Sequence, residues 1–123
     1  MATTEELITG FDEGITGDGD AMVATLAPGA VVWHNYDRKV VDAIENMASV
    51  GMLAQIVRDM SMERIRVEEF SGGFVYQFAL HGTVISNGNP FEMHNVIIAS
   101  VEGGLIARID EYVDPSVGAQ LAP

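Results

Sequence analysis

Hydrophobic positions along this chain follow two periods. Near the start, Leu7, Ile8, Phe11 and Ile15 recur at helical spacing and form one apolar face. Thr3 or Thr4 can cap that helix, and Glu5 and Glu6 suit its positive end. Gly10 and Gly14 lie inside it and weaken it by about 1 kcal/mol each relative to Ala. Gly17-Asp18-Gly19 breaks the pattern. Asp20 then predicts the cap of a short second helix that buries Met22, Val23 and Leu26, and Ala27-Pro28-Gly29 ends it. A strand is predicted from Ala30 to Tyr36. A long helical stretch follows from Val41 to Met60, with Ile44, Met47, Ala48, Met52, Ile56 and Met60 on one broad face. Its many Met give an adaptable apolar surface.

The period then changes to two. Met62 to Phe70, Phe74 to Ser86, Phe91 to Val101 and Leu105 to Val113 read as strands. Ser71-Gly72-Gly73, Asn87-Gly88-Asn89-Pro90 and Glu102-Gly103-Gly104 read as the turns between them. Asp114-Pro115 stops the last strand, and Ser116 to Pro123 is expected to be a loose tail. Three helices around one strand, then four antiparallel strands, make an α+β arrangement. Long strands and the placing of Gly82 let such a sheet bend.

Composition narrows the function classes. The chain has 123 residues, 48% of them apolar, which suits one domain with a core. Eighteen acids against six bases give a net charge of −12. Nucleic acid is disfavoured, because phosphate binding needs clustered Lys and Arg. Anionic membrane surfaces are disfavoured on the same ground. The absence of Cys excludes disulfides and thiolate catalysis. The acidic start lacks the pattern of a signal peptide, and no apolar run reaches the roughly 20 residues of a membrane span, so a cytoplasmic location is expected. The three His occur at neither His-x-His nor His-x3-His spacing, no phosphate loop or dinucleotide fingerprint occurs, and no metal or cofactor is expected.

Candidate chemistry concentrates at Trp33-His34-Asn35-Tyr36, at the end of an apolar strand. The segments Gly17-Asp18-Gly19-Asp20-Ala21-Met22-Val23, Leu26-Ala27-Pro28, Val31-Val32-Trp33-His34-Asn35, Leu80-His81-Gly82-Thr83 and Gly104 to Pro115 resemble, in order and spacing, the SnoaL-like branch of the NTF2-like superfamily. The resemblance covers about residues 4 to 115. It implies one SnoaL-like domain over 1–123. The implied fold is an NTF2-like α+β cone, with three N-terminal helices packed on a strongly curved, mostly antiparallel β-sheet. Ketosteroid isomerases, limonene epoxide hydrolases, dehydratases, polyketide cyclases and non-enzymatic modules share that fold, so it does not fix a function.

Alternation sorts the strand faces. Phe74, Tyr76, Phe78 and Leu80 form the apolar face of their strand and point inward, which sends His81 outward. On the next strand apolarity does not choose, and the resemblance favours Met93, Asn95 and Ile97 inside rather than His94. On the last strand Leu105, Ala107, Ile109, Glu111 and Val113 are the more apolar face, with Ile106 and Asp110 opposite. Glu111 is either paired or protonated in the interior, or reaches water at a strand end. The resemblance puts His34 inside, where ketosteroid isomerase carries a carboxylate. Outward Val75, Ala79, Val96 and Ile98 would otherwise be exposed apolar surface and suggest a homodimer.

The expected site is therefore a small apolar pocket. His34 is the candidate base and Glu111 its partner. Asn95 and Tyr76 are candidate donors to an oxyanion or a water. Val32, Tyr36, Ile44, Phe78, Leu80, Met93, Ile97, Ile109 and Val113 are the expected walls and substrate contacts. Gly10 and Ile97 stand where ketosteroid isomerase carries its oxyanion donors, so steroid isomerisation by that route is not expected. The functional expectation is acid–base catalysis on a small apolar molecule by an isomerase, lyase, cyclase or hydrolase. The alternative is a non-catalytic module of the same fold that binds a small ligand or a partner.

Overall fold

The computed structural model describes residues 1–121. Its elements in chain order are α1 (Thr4–Ile15), α2 (Gly19–Val23), β1 (Leu26–His34), β2 (Val40–Asp42), α3 (Ala43–Ala54), β3 (Val57–Phe70), β4 (Gly73–Val84), β5 (Pro90–Glu102), β6 (Leu105–Val113) and a 3-10 helix (Pro115–Leu121). The strands form one sheet in the order β2-β1-β6-β5-β4-β3. All neighbours are antiparallel except β1 and β6, which run parallel.

Local chemistry sets the helix ends. The Thr3 side chain accepts from Glu6 N, and Asp18, rather than Asp20, caps α2 by accepting from Ala21 N. The second helix is only one turn and a half, so Leu26 belongs to β1 instead. The third helix is shorter than the expected 41–60 span at both ends. Val40 and Val41 are β-branched and pair with Trp33 and Val32. Asp42 then caps α3, accepting from Ile44 N and Glu45 N. At the far end Val57 pairs with Val84 and starts β3.

Packing explains the two glycines of α1. A Cβ at Gly10 would lie 2.4 Å from Thr25 Cγ2, and one at Gly14 would lie 2.3 Å from Met22 Cβ. Their cost in helix propensity is offset by the close approach of α1 to α2 and the start of β1. Phe11 carries α1 onto the sheet, edge-on to Tyr76 and Phe78.

The sheet bends where its register shifts. Two irregularities interrupt the β3–β4 ladder, between Arg58 and Ser61 and between Arg64 and Arg66, and Asp59 takes a positive φ of 56°. Gly82 leaves room for β3 to cross close by, since a Cβ there would meet Val57 Cγ1 at 2.5 Å. The concave face holds the core. Phe74, Tyr76, Phe78 and Leu80 are all buried on it, as alternation predicts. On β6 the expectation holds from Ile109 onward only. A shift between Ser100 and Val101 turns Ile106 inward to full burial, leaving Leu105 and Ala107 half-buried.

The tail differs from the expected loose segment. Gln120 brackets the start of β5, with Glu92 N donating to its Oε1 at 3.0 Å and its Nε2 donating to Glu92 O at 2.7 Å. Val117 and Leu121 pack on the Val57, Leu80, Val84 and Phe91 cluster. The last two residues of the expected tail, Ala122 and Pro123, lie outside the described residues. Among the described residues no helix is long and apolar enough to cross a membrane.

Candidate functional site

His34 is the last residue of β1, and its register partner on parallel β6 is Glu111. Side chains of such partners leave the sheet on the same face. The His34 Nε2 therefore stands 3.3 Å from Glu111 Oε1. Asn95, on the neighbouring β5, donates its Nδ2 to the other carboxylate oxygen, Oε2, at 3.3 Å. The His34 side chain is 7% exposed and that of Glu111 20%. Glu111 thus combines both readings open in the sequence: it is paired, and it retains some access to water.

Tyr36 stacks on the His34 ring with centroids 4.9 Å apart. Asn35 turns the other way and ties the chain down. Its Nδ2 donates to Val113 O at 3.2 Å, and Val113 N donates to its Oδ1 at 3.0 Å. That clasp fixes the strand end that carries His34. Trp33 lies on the convex face against Tyr112, 5.3 Å between centroids.

His34, Tyr36, Asn95 and Glu111 line a cavity of about 120 Å³ together with Ile15, Asn46, Ser49, Val50, Leu53, Phe78, Leu80 and Met93. A second recess of about 280 Å³ shares His34, Tyr36, Asn46 and Ser49 with it and adds Asp37, Val41 and Glu45. The two adjoin as one cleft, its inner part lined by apolar and polar residues alike and the adjoining recess made more acidic by Asp37 and Glu45.

Hydrogen bonding to Glu111 raises the His34 pKa above its ordinary 6.5; burial opposes this, and the charges of Glu111 and Asp37 add to it. Burial raises the Tyr36 phenol, and the same two carboxylates reinforce the effect. The pair at the centre is thus an imidazole whose protonated form is favoured by the Glu111 side chain beside it. Such a pair can take a proton from a bound molecule or return one.

Of the expected site residues, His34, Asn95, Glu111, Tyr36, Phe78, Leu80 and Met93 come together at the cavity. Tyr76 does not. Its ring packs on Phe11 and Phe78, and its hydroxyl donates to Asp12 Oδ1 at 2.8 Å. Burial, reinforced by Asp12, pushes its pKa up. Val32, Ile97 and Ile109 belong to the packed core rather than the lining, and Val113 is buried against the Asn35 clasp. Ile44 is 60% exposed on the outer side of α3. The face of α3 that meets the cavity is Asn46, Ser49, Val50 and Leu53, at i, i+3, i+4 and i+7. This helical stripe is visible in the sequence, but an apolar-only search passes over its two polar members and selects Ile44 and Met52 instead.

The other candidate acids and His lie on the convex side. His81 meets Glu63 at 2.7 Å, His94 meets Glu92 at 2.7 Å, and Arg108 meets Asp110 at 2.7 Å. Among the described residues no group of three or more His, Asp or Glu is placed to hold a metal ion.

No protein-family model matches the chain, and no curated protein matches it in sequence. Solved structures do match. IdmH from Streptomyces antibioticus, described as a candidate polyketide cyclase, superposes with a TM-score of 0.81 at 18% identity, over 97% of each chain. A candidate SnoaL-like polyketide cyclase from Jannaschia sp. CCS1 gives 0.78 at 20% identity, over 97% of this chain and 91% of that one. A protein of ketosteroid isomerase-like fold from Catenulispora acidiphila, in complex with trimethylamine, gives 0.77 at 14% identity, over 94% and 90%. The chain therefore has the NTF2-like fold shared by these SnoaL-like and ketosteroid isomerase-like structures.

Proposed function

We propose that the cleft is the active site of a SnoaL-like enzyme that performs acid–base chemistry on a small apolar molecule, as an isomerase, lyase, cyclase or hydrolase. The observation that carries this reading is the His34–Glu111 pair, 3.3 Å apart in a cavity walled in part by Ile15, Leu53, Phe78, Leu80 and Met93. His34 exchanges the proton. Glu111 holds the imidazole and balances its charge. Asn95 fixes the carboxylate from the other side. An isolated ionised carboxylate in such a place would be costly, and the two partners remove that cost.

The oxyanion role expected of Tyr76 has no support, because its hydroxyl is engaged by Asp12, whereas Asn95 gives one N–H to Glu111 and keeps a second. The same observation favours a second reading, in which the cleft binds a small molecule without turning it over. The two separate in a panel of small alcohols, ketones and epoxides followed by NMR with wild type, His34→Ala and Glu111→Gln. An enzyme shows turnover that falls by roughly 100-fold or more in either variant, the usual worth of a general acid or base. Turnover that survives both substitutions overturns the assignment. Saturable binding with no turnover selects the second reading.

The assembly proposed is a homodimer through the convex sheet face. Its support is the exposed apolar surface of Ile65, Ile98 and Tyr112, with Val75 and Val96 half-buried beside it. Ala79, expected in that surface, is fully buried. It is small and lies between its longer register partners Glu63 and His94.

A further inference from the structure

Donors and acceptors are out of balance at the deep end of the cavity. His34 Nε2 and Asn95 Nδ2 both address Glu111, one to each oxygen. Among the buried side-chain polar atoms of the described residues, the one left without a partner is Asn95 Oδ1. It is buried without a hydrogen-bond partner, on a side chain that lines the cavity and a residue only 3% exposed. An orphaned buried acceptor costs about 1–3 kcal/mol, and native proteins keep few of them. Reversing the amide does not cure the defect. It would set Oδ1 against the Glu111 carboxylate, acceptor against acceptor, and leave Nδ2 with nothing to donate to.

No group among the described residues donates to Oδ1. Resting on the reading of the cleft as a small-molecule site, we propose that its ligand is a small neutral alcohol or enol whose O–H donates to Asn95 Oδ1. Asn95 is then the residue that selects a hydroxyl over the matching ketone, ether or hydrocarbon. The terminal torsion of an Asn amide is soft, so a small turn brings Oδ1 to the ligand. The rest of the molecule meets Ile15, Leu53, Phe78, Leu80 and Met93. The volume suits one small ring, since an apolar cavity of about 150 Å³ holds benzene. Asp37 and Glu45 of the adjoining recess disfavour anions. A ketone has no hydrogen to give Oδ1 and leaves that acceptor unpaired, whereas a hydroxyl pairs it.

Cyclohexanol and cyclohexanone form a matched pair of probes, equal in size and differing in the donor. Titration of the labelled protein by NMR is expected to show cyclohexanol binding at least about tenfold more tightly than cyclohexanone, equivalent to roughly 1.4 kcal/mol. The Asn95 side-chain amide resonances move with cyclohexanol and stay still with cyclohexanone. In Asn95→Leu the affinity ratio falls to about one. Equal binding of both probes to wild type, with shifts at the cavity, overturns this proposal and leaves the cleft reading intact. A ratio kept in folded Asn95→Leu overturns it as well. Binding of neither probe at millimolar concentration removes both readings. If Asn95→Leu does not fold, the wild-type ratio and the Asn95 amide shifts decide alone.

Discussion

Glu111 is held from two sides, by His34 at one carboxylate oxygen and by Asn95 at the other, each at 3.3 Å. The parallel pairing of β1 with β6 creates the first contact, because it sets His34 and Glu111 opposite each other on the concave face. The antiparallel β5 supplies the second. A carboxylate fixed in this way makes the imidazole easier to protonate and couples the pair to pH.

Stability carries the sign of that coupling. Glu111 raises the folded-state pKa of His34 above its unfolded value, near 6.5. The stabilisation is complete below that value and is lost as pH rises through the folded pKa. Urea unfolding of wild type and Glu111→Gln between pH 6 and pH 9 is expected to show a wild-type advantage that shrinks towards pH 9. An advantage that grows with pH contradicts this.

Tyr76 is expected to matter for folding and not for the site. Tyr76→Phe removes the hydroxyl that donates to Asp12 and costs about 1 kcal/mol, read from urea unfolding. Burial already raises the Asp12 pKa and the Tyr76 hydrogen bond opposes that rise, so the substitution raises it further. Ligand affinity at the cleft stays unchanged. A variant that folds normally but loses binding returns Tyr76 to the site.

Gly10→Ala sets two effects of opposite sign against each other. Helix propensity favours Ala by about 1 kcal/mol. The new methyl, however, falls 2.4 Å from Thr25 Cγ2 and 2.9 Å from the Ala21 carbonyl oxygen. Overpacking of that kind costs about 1–3 kcal/mol, and the backbone contact cannot swing away. A lower melting temperature is expected. A higher one shows that α1 and α2 are less closely packed than described.

The convex face predicts self-association. Light scattering at micromolar concentration is expected to give the mass of a dimer, and Ile98→Lys the mass of a monomer. Ile98 is apolar and exposed at the middle of β5, so a charge there must be desolvated if two copies meet. A monomer in the wild type rules the dimer out.

Much of this architecture is legible in the residues, and what is not has identifiable causes. Strict alternation makes the inward face of β4 readable from Phe74 to Leu80. Alternation also places His34 with Val32 and Glu111 with Ile109. It fails at Ile106, because the shift between Ser100 and Val101 is a property of the β5–β6 pairing and not of either strand alone. The extent of α3 fails for a related reason: Val40–Asp42 becomes strand only because β1 lies beside it. Tyr76 points inward as expected but lies in the wrong part of the interior, packed on Phe11 and bonded to Asp12. Which inward residues share a cavity depends on helix packing, and neither period of the sequence encodes it.

The central claim is that His34 and Glu111 act as one coupled acid–base pair. NMR titration of the His34 imidazole in wild type and in Glu111→Gln tests it without knowledge of the substrate. The account predicts a wild-type pKa above 6.5 and a fall in the variant, where burial remains and the carboxylate charge is gone. An imidazole that titrates at the same pH in both proteins would contradict it.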